Sequence, residues 1–157
     1  MNANLQILVE RLKKNNLSFR ILDEKTTMIS SRDVEKVFAG DPEEIWKTII
    51  VTDEHSFFAA FLCGRDRLDL RKLEKALGVN GLRLAKAKEL KERLRLQPGE
   101  VCPLSISLPV ISDSSVNNFQ KINFGSGDVS FGIEMQVDDV LKFLKPKVID
   151  IKEGIDR

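Results

Sequence analysis

Asp41-Pro-Glu-Glu-Ile-Trp-Lys-Thr-Ile-Ile-Val-Thr52 reads as a short helical turn running straight into a buried strand. Asp41 suits the N-cap, and Pro42 suits the first helical position, where a missing N–H costs nothing. Glu43 and Glu44 follow in the first turn, where the helix dipole favours negative charge. The strand Thr48-Ile-Ile-Val51 is β-branched throughout and packs well on a pleated surface. Lys47 stands at its mouth. A lysine there either snorkels to water or faces a cleft that wants a cation.

Outward from this stretch, helices and strands interleave. Leu5, Leu8, Val9 and Leu12 at helical spacing predict a helix over about 3–15. Ser18–Leu22 alternates as a half-buried strand does, and Ser30 or Ser31 caps a helix of about 31–39 that Gly40 closes. Beyond the central strand, Asp53–Ser56, which holds His55, predicts a hairpin connection. Phe57–Cys63 is a continuous apolar run short enough for a fully buried strand. Asp69 caps a helix over 70–77 that Gly78 stops, Leu82–Ala85 is a short strand, and a basic amphipathic helix spans about 86–94.

Gln97–Pro103, with two prolines and a glycine, makes a stiff loop. Short strands are expected at Leu104–Ser107, Pro109–Ser112, Lys121–Phe124 and Val129–Met135, with a turn or single helical turn from Asp113 to Phe119 and a tight turn at Gly125–Asp128. Asp138 caps a last helix of about 139–144, and Lys147–Asp150 is a last strand. Hairpin-length connections among these strands argue for a mixed sheet surrounded by helices rather than a strict parallel array.

At 157 residues one domain, 1–157, is the default. No apolar run reaches the roughly 18 residues of a membrane span, and the first residues lack a signal-peptide layout, so a cytosolic protein without a membrane partner is expected. Cys63 and Cys102 form no metal pattern, and a single histidine removes most catalytic triads and zinc sites. Net charge is +1, yet Arg65–Arg95 carries 11 Lys/Arg against 5 Asp/Glu, a surplus of six. A nucleic-acid footprint and a solvated helical face both fit that asymmetry.

The order of several short motifs resembles one family. Lys47-Thr-Ile-Ile50 opens the central strand, and an Asp-Leu-Arg-Lys-Leu helix start follows at Asp69–Leu73. Then come a Gly-x-x-x-Pro loop at Gly99-Glu-Val-Cys-Pro103, a strand ending in Asp at Val110–Asp113, and the glycine turn Gly125-Ser-Gly127. From about Ser18 to Asp150 the chain resembles the YbaK/prolyl-tRNA-editing family of aminoacyl-tRNA deacylases. The resemblance implies an α+β fold with a mostly antiparallel, barrel-like sheet. It implies a freestanding trans-editing hydrolase that cleaves the ester of mischarged aminoacyl-tRNA without metal or cofactor, with tRNA as partner and an aminoacyl-tRNA synthetase as a second one. Monomer and homodimer both stay open.

The resemblance also assigns roles. Lys47 would hold phosphate or polarise the ester carbonyl. Gly99, Glu100, Val101, Cys102 and Pro103 would bring backbone N–H groups to the acyl carbonyl and size the side chain, with Glu100 standing where the family pattern has a second glycine. Asp113, Gly125, Ser126 and Gly127 would floor the site of the terminal adenosine. Cys102 as a nucleophile would need a base, and His55 is remote in sequence. With no strong general base in this set, assistance from the substrate's own ribose hydroxyl or amino group is expected. The alternative is a non-catalytic tRNA- or synthetase-binding module on the same scaffold.

Overall fold

The computed structural model describes residues 1–23 and 44–154. The expected turn at Asp41-Pro42 and the helix of about 31–39, with its Ser30 or Ser31 cap and Gly40 stop, lie outside the described residues.

Helix α1 spans Ala3–Lys14 and is capped by Asn2, whose side-chain oxygen accepts the Leu5 N–H at 2.9 Å. It buries Leu5, Leu8 and Leu12, each contributing roughly 2 kcal/mol of burial. Strand β1 is Arg20–Asp23. Strands β2 (Trp46–Thr52) and β3 (Phe57–Cys63) form a hairpin, closed by Asp53 Oδ1 accepting the N–H groups of His55 and Ser56. Helix α2 (Leu70–Leu77) begins at Asp69, which accepts from Arg71 and Lys72, and ends at Gly78 with φ of 68°. Only glycine takes that left-handed stop without cost. Strand β4 is Arg83–Leu84.

Next come strand β5 (Val110–Asp113), a 3-10 turn over Ser114–Asn118, strands β6 (Lys121–Gly125) and β7 (Phe131–Gln136), a terminal helix, and an edge strand at Lys147–Ile149.

Three local readings need correction. The helix expected over about 86–94 is split. Helix α3 covers Ala87–Glu89, and the chain then widens into a π turn over Leu90–Leu94 that ends at left-handed Arg95. Leu104–Ser107 is no strand, because the Cys102 carbonyl accepts the N–H groups of both Ser105 and Ile106 and folds the segment into a turn. Asp138 does not cap the last helix. Helix α4 is Val137–Leu144 with Gln136 before it. The Val137 N–H is satisfied by the Gln120 carbonyl at 2.7 Å, and Asp138 and Asp139 sit in the first turn, where the dipole welcomes them.

With the edge strand Lys147–Ile149 as β8, two sheets result. One has the order β1-β7-β6, all antiparallel. The other has the order β4-β2-β3-β5-β8, with β3–β5 and β5–β8 parallel. The fold is mixed α+β and mostly antiparallel, as expected, but among the described residues the sheets do not close into a barrel. The outer edge of β2 is divided. Ile45 makes one isolated parallel bridge to Asn123 of β6, while Val51 and Thr52 pair with β4, so the ladder to β6 stops after that bridge.

The main core lies between α1, the three-stranded sheet and the face of β2 and β3 that carries Trp46, Ile50, Ala59 and Phe61. The opposite face, with Val51, Ala60 and Ile111, packs on Leu73 of α2. Among the described residues no helix is long and apolar enough to cross a membrane.

Candidate functional site

Two of the motifs meet in space. The loop Gly99–Pro103 packs on the turn that joins β6 to β7, and the fit depends on missing side chains. A Cβ on Gly125 would stand 3.0 Å from the Val101 carbonyl oxygen. One on Gly127 would stand 3.6 Å from the Glu100 carbonyl oxygen and from Cys102 Cβ, and one on Gly99 would stand 3.2 Å from Val129. Gly99 and Gly127 both have φ of 92°, so the backbone itself asks for glycine there. Cys102 and Pro103 are buried beneath the loop. We call this arrangement the corner.

Side chains lock the corner from outside. Glu100 accepts the Gln97 N–H at 2.6 Å and returns its own N–H to the Gln97 carbonyl, closing the loop on itself. The Glu100 carboxylate therefore serves as a brace. Ser126 is fully buried and donates its hydroxyl to the Phe131 carbonyl at 2.7 Å. Asn2 donates from its side chain to the Gly127 carbonyl and from its backbone to Asp128 Oδ2, fastening the start of α1 to the turn.

The corner's backbone has a polarity. The Glu100 and Val101 carbonyls face the turn. In a trans peptide the N–H points opposite to the C=O, so the amides of Val101 and Cys102 are aimed away from the turn. The Cys102 side chain is buried, an environment unsuited to a nucleophile. Desolvation pushes its thiol up to about 11, against weaker opposing hydrogen bonds from Leu104 and Ser105, so it stays protonated at neutral pH.

Lys47 shares a strand face with Gly125 of the corner by alternation alone, and its ammonium is turned to the segment after β3. The Ile45–Asn123 bridge puts those two side chains on one side of the junction between the sheets. By alternation, Lys47 shares it with Ile45, and Lys121 and the Cβ direction of Gly125 share it with Asn123. Lys47 and Gly125 each lie two residues beyond the bridge on strands leaving it in the same direction. The half-buried ammonium donates to the carbonyls of Gly64 at 3.3 Å and Asp66 at 2.5 Å. Burial lowers its pKa, and the nearby Asp66 charge offsets part of that.

A cavity of about 540 Å³ opens on the other side of the Ile45–Asn123 bridge, lined by Glu44, Cys63, Arg65, Asp66, Ser115, Asn118, Phe119, Gln120, Lys121 and Lys152; Lys47 does not line it and reaches it only through its bond to the Asp66 carbonyl. We call this the cleft. Asp113 lies beneath it, fully buried. It accepts the N–H of Ile151 at 2.9 Å through Oδ1, and both the N–H, at 3.0 Å, and the hydroxyl of Ser115 through Oδ2. Burial pushes its carboxyl up, but these hydrogen bonds outweigh burial and hold it below the usual carboxylate value. Asp113 is a strut that ties β5, the 3-10 turn and the segment after β8 under the cleft floor.

The cleft residues were not singled out in the sequence. They come from four separate segments, which the β2–β3 hairpin and the parallel pairings β3–β5 and β5–β8 bring together. His55 stays in its hairpin turn.

A model of the aminoacyl-tRNA editing domain family matches residues 25–143. No curated protein sequence is significantly similar to the chain. Among solved structures, the hypothetical protein APE2540 superposes with a TM-score of 0.85 at 23% identity, covering 93% of this chain and 99% of its own. A structure named "putative trans-editing enzyme for prolyl tRNA synthetase" superposes with a TM-score of 0.81 at 20% identity, covering 98% of this chain and 99% of its own. At these identities the likeness is one of fold.

Proposed function

The chain belongs to the aminoacyl-tRNA editing domain family, and from that premise we propose that it is a trans-editing deacylase that hydrolyses the ester joining a wrong amino acid to the 3′-terminal adenosine of a tRNA. Such a second, hydrolytic sieve is needed because a pocket separates side chains differing by one methylene by only about 1–3 kcal/mol. In the reaction, water attacks the ester carbonyl and negative charge develops on its oxygen. The C–O bond to the ribose then breaks, and the leaving ribose oxygen takes a proton.

The observation that carries the reading is the polarity of the corner. Two loop carbonyls are held against glycines 125 and 127, which turns the amides of Val101 and Cys102 outward as a pair of fixed donors for that developing oxyanion. Lys47, on the same side of the sheet junction, supplies the positive charge next to the ester or its flanking phosphate. Charge and donors are all this role needs, so a modest downward pKa shift leaves it intact. Gly125, Ser126 and Gly127 act as the frame under the bound adenosine, and Asp113, which braces Ser115 and Ile151 beneath the cleft, stands apart from them. Proton transfer falls to the substrate's own ribose hydroxyl or amino group, with the protein contributing position and electrostatics.

Mischarged tRNAs incubated as a panel with the wild type and with Lys47→Ala test this. Ester loss is expected for at least one tRNA with the wild type, and a roughly 100-fold slower rate with the folded variant. Wild-type turnover by Lys47→Ala would remove Lys47 from the mechanism. Binding without ester loss across the whole panel would favour a non-catalytic tRNA- or synthetase-binding module. A substrate lacking the free ribose hydroxyl beside the ester should react slowly, and undiminished turnover of it would end the substrate-assisted scheme.

A further inference from the structure

The cleft has a chemistry of its own. Three cations, Arg65, Lys121 and Lys152, line it against two carboxylates, Glu44 and Asp66, and the amides of Asn118 and Gln120 add neutral donors. Two of the cations are only loosely held. Lys152 stands 3.8 Å from Asp66 and Lys121 stands 4.0 Å from Glu134, both at the outer limit of an ion pair and open to solvent. Exposed pairs of this kind are weak and yield readily to a competing anion.

An aromatic wall completes the cleft. Phe119 lines it and is fixed edge-on by Trp46, with ring centroids 5.8 Å apart. Two polar atoms on residues next to the lining ones, Trp46 Nε1 and Asn123 Oδ1, are buried without a hydrogen-bond partner among the described residues. Trp46 touches the lining ring, and Asn123 lies two residues from Lys121 on its side of β6.

We infer that the cleft is a subsite for single-stranded nucleic acid, taking a phosphate of the tRNA 3′ strand on Lys121 and Lys152 and a neighbouring base against Phe119. Cations beside an aromatic face are the usual means of holding an unpaired strand without reading its sequence. The inference rests on the deacylase reading for the identity of the strand. It adds a foothold separate from the corner, at the opposite end of β6, Lys121 against Gly125. Position on the substrate is then set by two contacts, one on the acylated end and one on the backbone that leads to it.

The test uses an uncharged, fluorescently labelled RNA oligonucleotide ending in CCA, with adenosine monophosphate as a second probe. The wild type should bind the oligonucleotide with an affinity that falls as salt rises. In Lys121→Ala/Lys152→Ala, affinity at low salt should drop at least 10-fold. The slope of log K against log salt should shrink by about 1.4, the share of two single-strand phosphate contacts. Lys121→Arg/Lys152→Arg should bind like the wild type, and matched thermal melting of all three proteins excludes a folding defect. Unchanged affinity and slope in the double alanine variant would overturn the proposal. Adenosine monophosphate binding as tightly as the oligonucleotide would overturn it in favour of a free-nucleotide site. If the double alanine variant loses oligonucleotide binding while the wild type hydrolyses no mischarged tRNA, the subsite stands and the deacylase reading falls.

Discussion

The corner and the cleft lie at opposite ends of one strand, β6, and are built by opposite means. At the corner, backbone meets backbone, and Gly99, Gly125 and Gly127 matter for the side chains they lack. In the cleft, side chains from four segments do everything, and the backbone only carries them. The lesson is one of tolerance. Adding atoms should damage the corner and removing them should damage the cleft, so the two kinds of substitution separate the two regions experimentally.

The largest effect is expected where the cleft stops being surface. Asp113→Ala would leave the buried N–H groups of Ile151 and Ser115 without an acceptor, at a cost of about 2–4 kcal/mol, read from denaturant unfolding. Acid should act through the same residue. Its folded pKa lies below the ordinary 3.8, so its contribution is full above that value and fades as pH falls through the lower, folded value. A stability curve that stays flat through that acid range would show that Asp113 is no strut.

Gly125→Ala breaks the corner by addition. A methyl group 3.0 Å from the Val101 oxygen must push the loop away. We expect a stability loss of about 1–2 kcal/mol and a fall in deacylation of at least 10-fold, because a misplaced donor pair costs more than its packing. Activity retained in a variant shown to be folded would mean that the amides of Val101 and Cys102 do not face the reacting ester.

Cys102→Ala, removing one buried sulfur, should cost about 1 kcal/mol and leave turnover within a few-fold. The folded wild type should also resist alkylation of Cys102 at neutral pH, since its thiol is pushed up to about 11. Rapid labelling followed by inactivation would return this cysteine to the list of nucleophiles. The smallest effect on folding belongs to Lys121→Ala. Its loose pair with Glu134 is worth at most about 0.5 kcal/mol, so thermal melting should barely move.

The same contrast decides how much of the molecule was legible in the chain. Backbone requirements announce themselves locally. Phe57–Cys63 reads as a buried strand because the run is apolar on both faces, and Asp69 and Gly78 bracket α2 as caps and stops do. The two glycine motifs of the corner were visible for the same reason, although nothing in either predicted that they touch. Segments whose conformation is set by particular hydrogen bonds, near or far, do not follow their periodicity. Leu104–Ser107 alternates like a strand, but the Cys102 carbonyl captures two of its amides. Helix α4 starts without its expected Asp138 cap because Gln120, far back in sequence, accepts its first N–H. The cleft is the extreme case. Phe119 and Lys152 share a cavity only because β5 and β8 run parallel, and no local spacing encodes that pairing.

The attachment of Asn2 to Gly127 and Asp128 carries a consequence for how the protein is made. The bonded residues are up to 126 positions apart, and β1 likewise waits for β7. At typical synthesis rates of 5–20 residues per second, about 6–25 seconds pass between the emergence of the first helix and that of its anchor. For that interval the leucine face of α1 lacks the three-stranded sheet that completes its core. The nascent α1 therefore needs shelter until the turn at Gly127-Asp128 and β7 have left the ribosome.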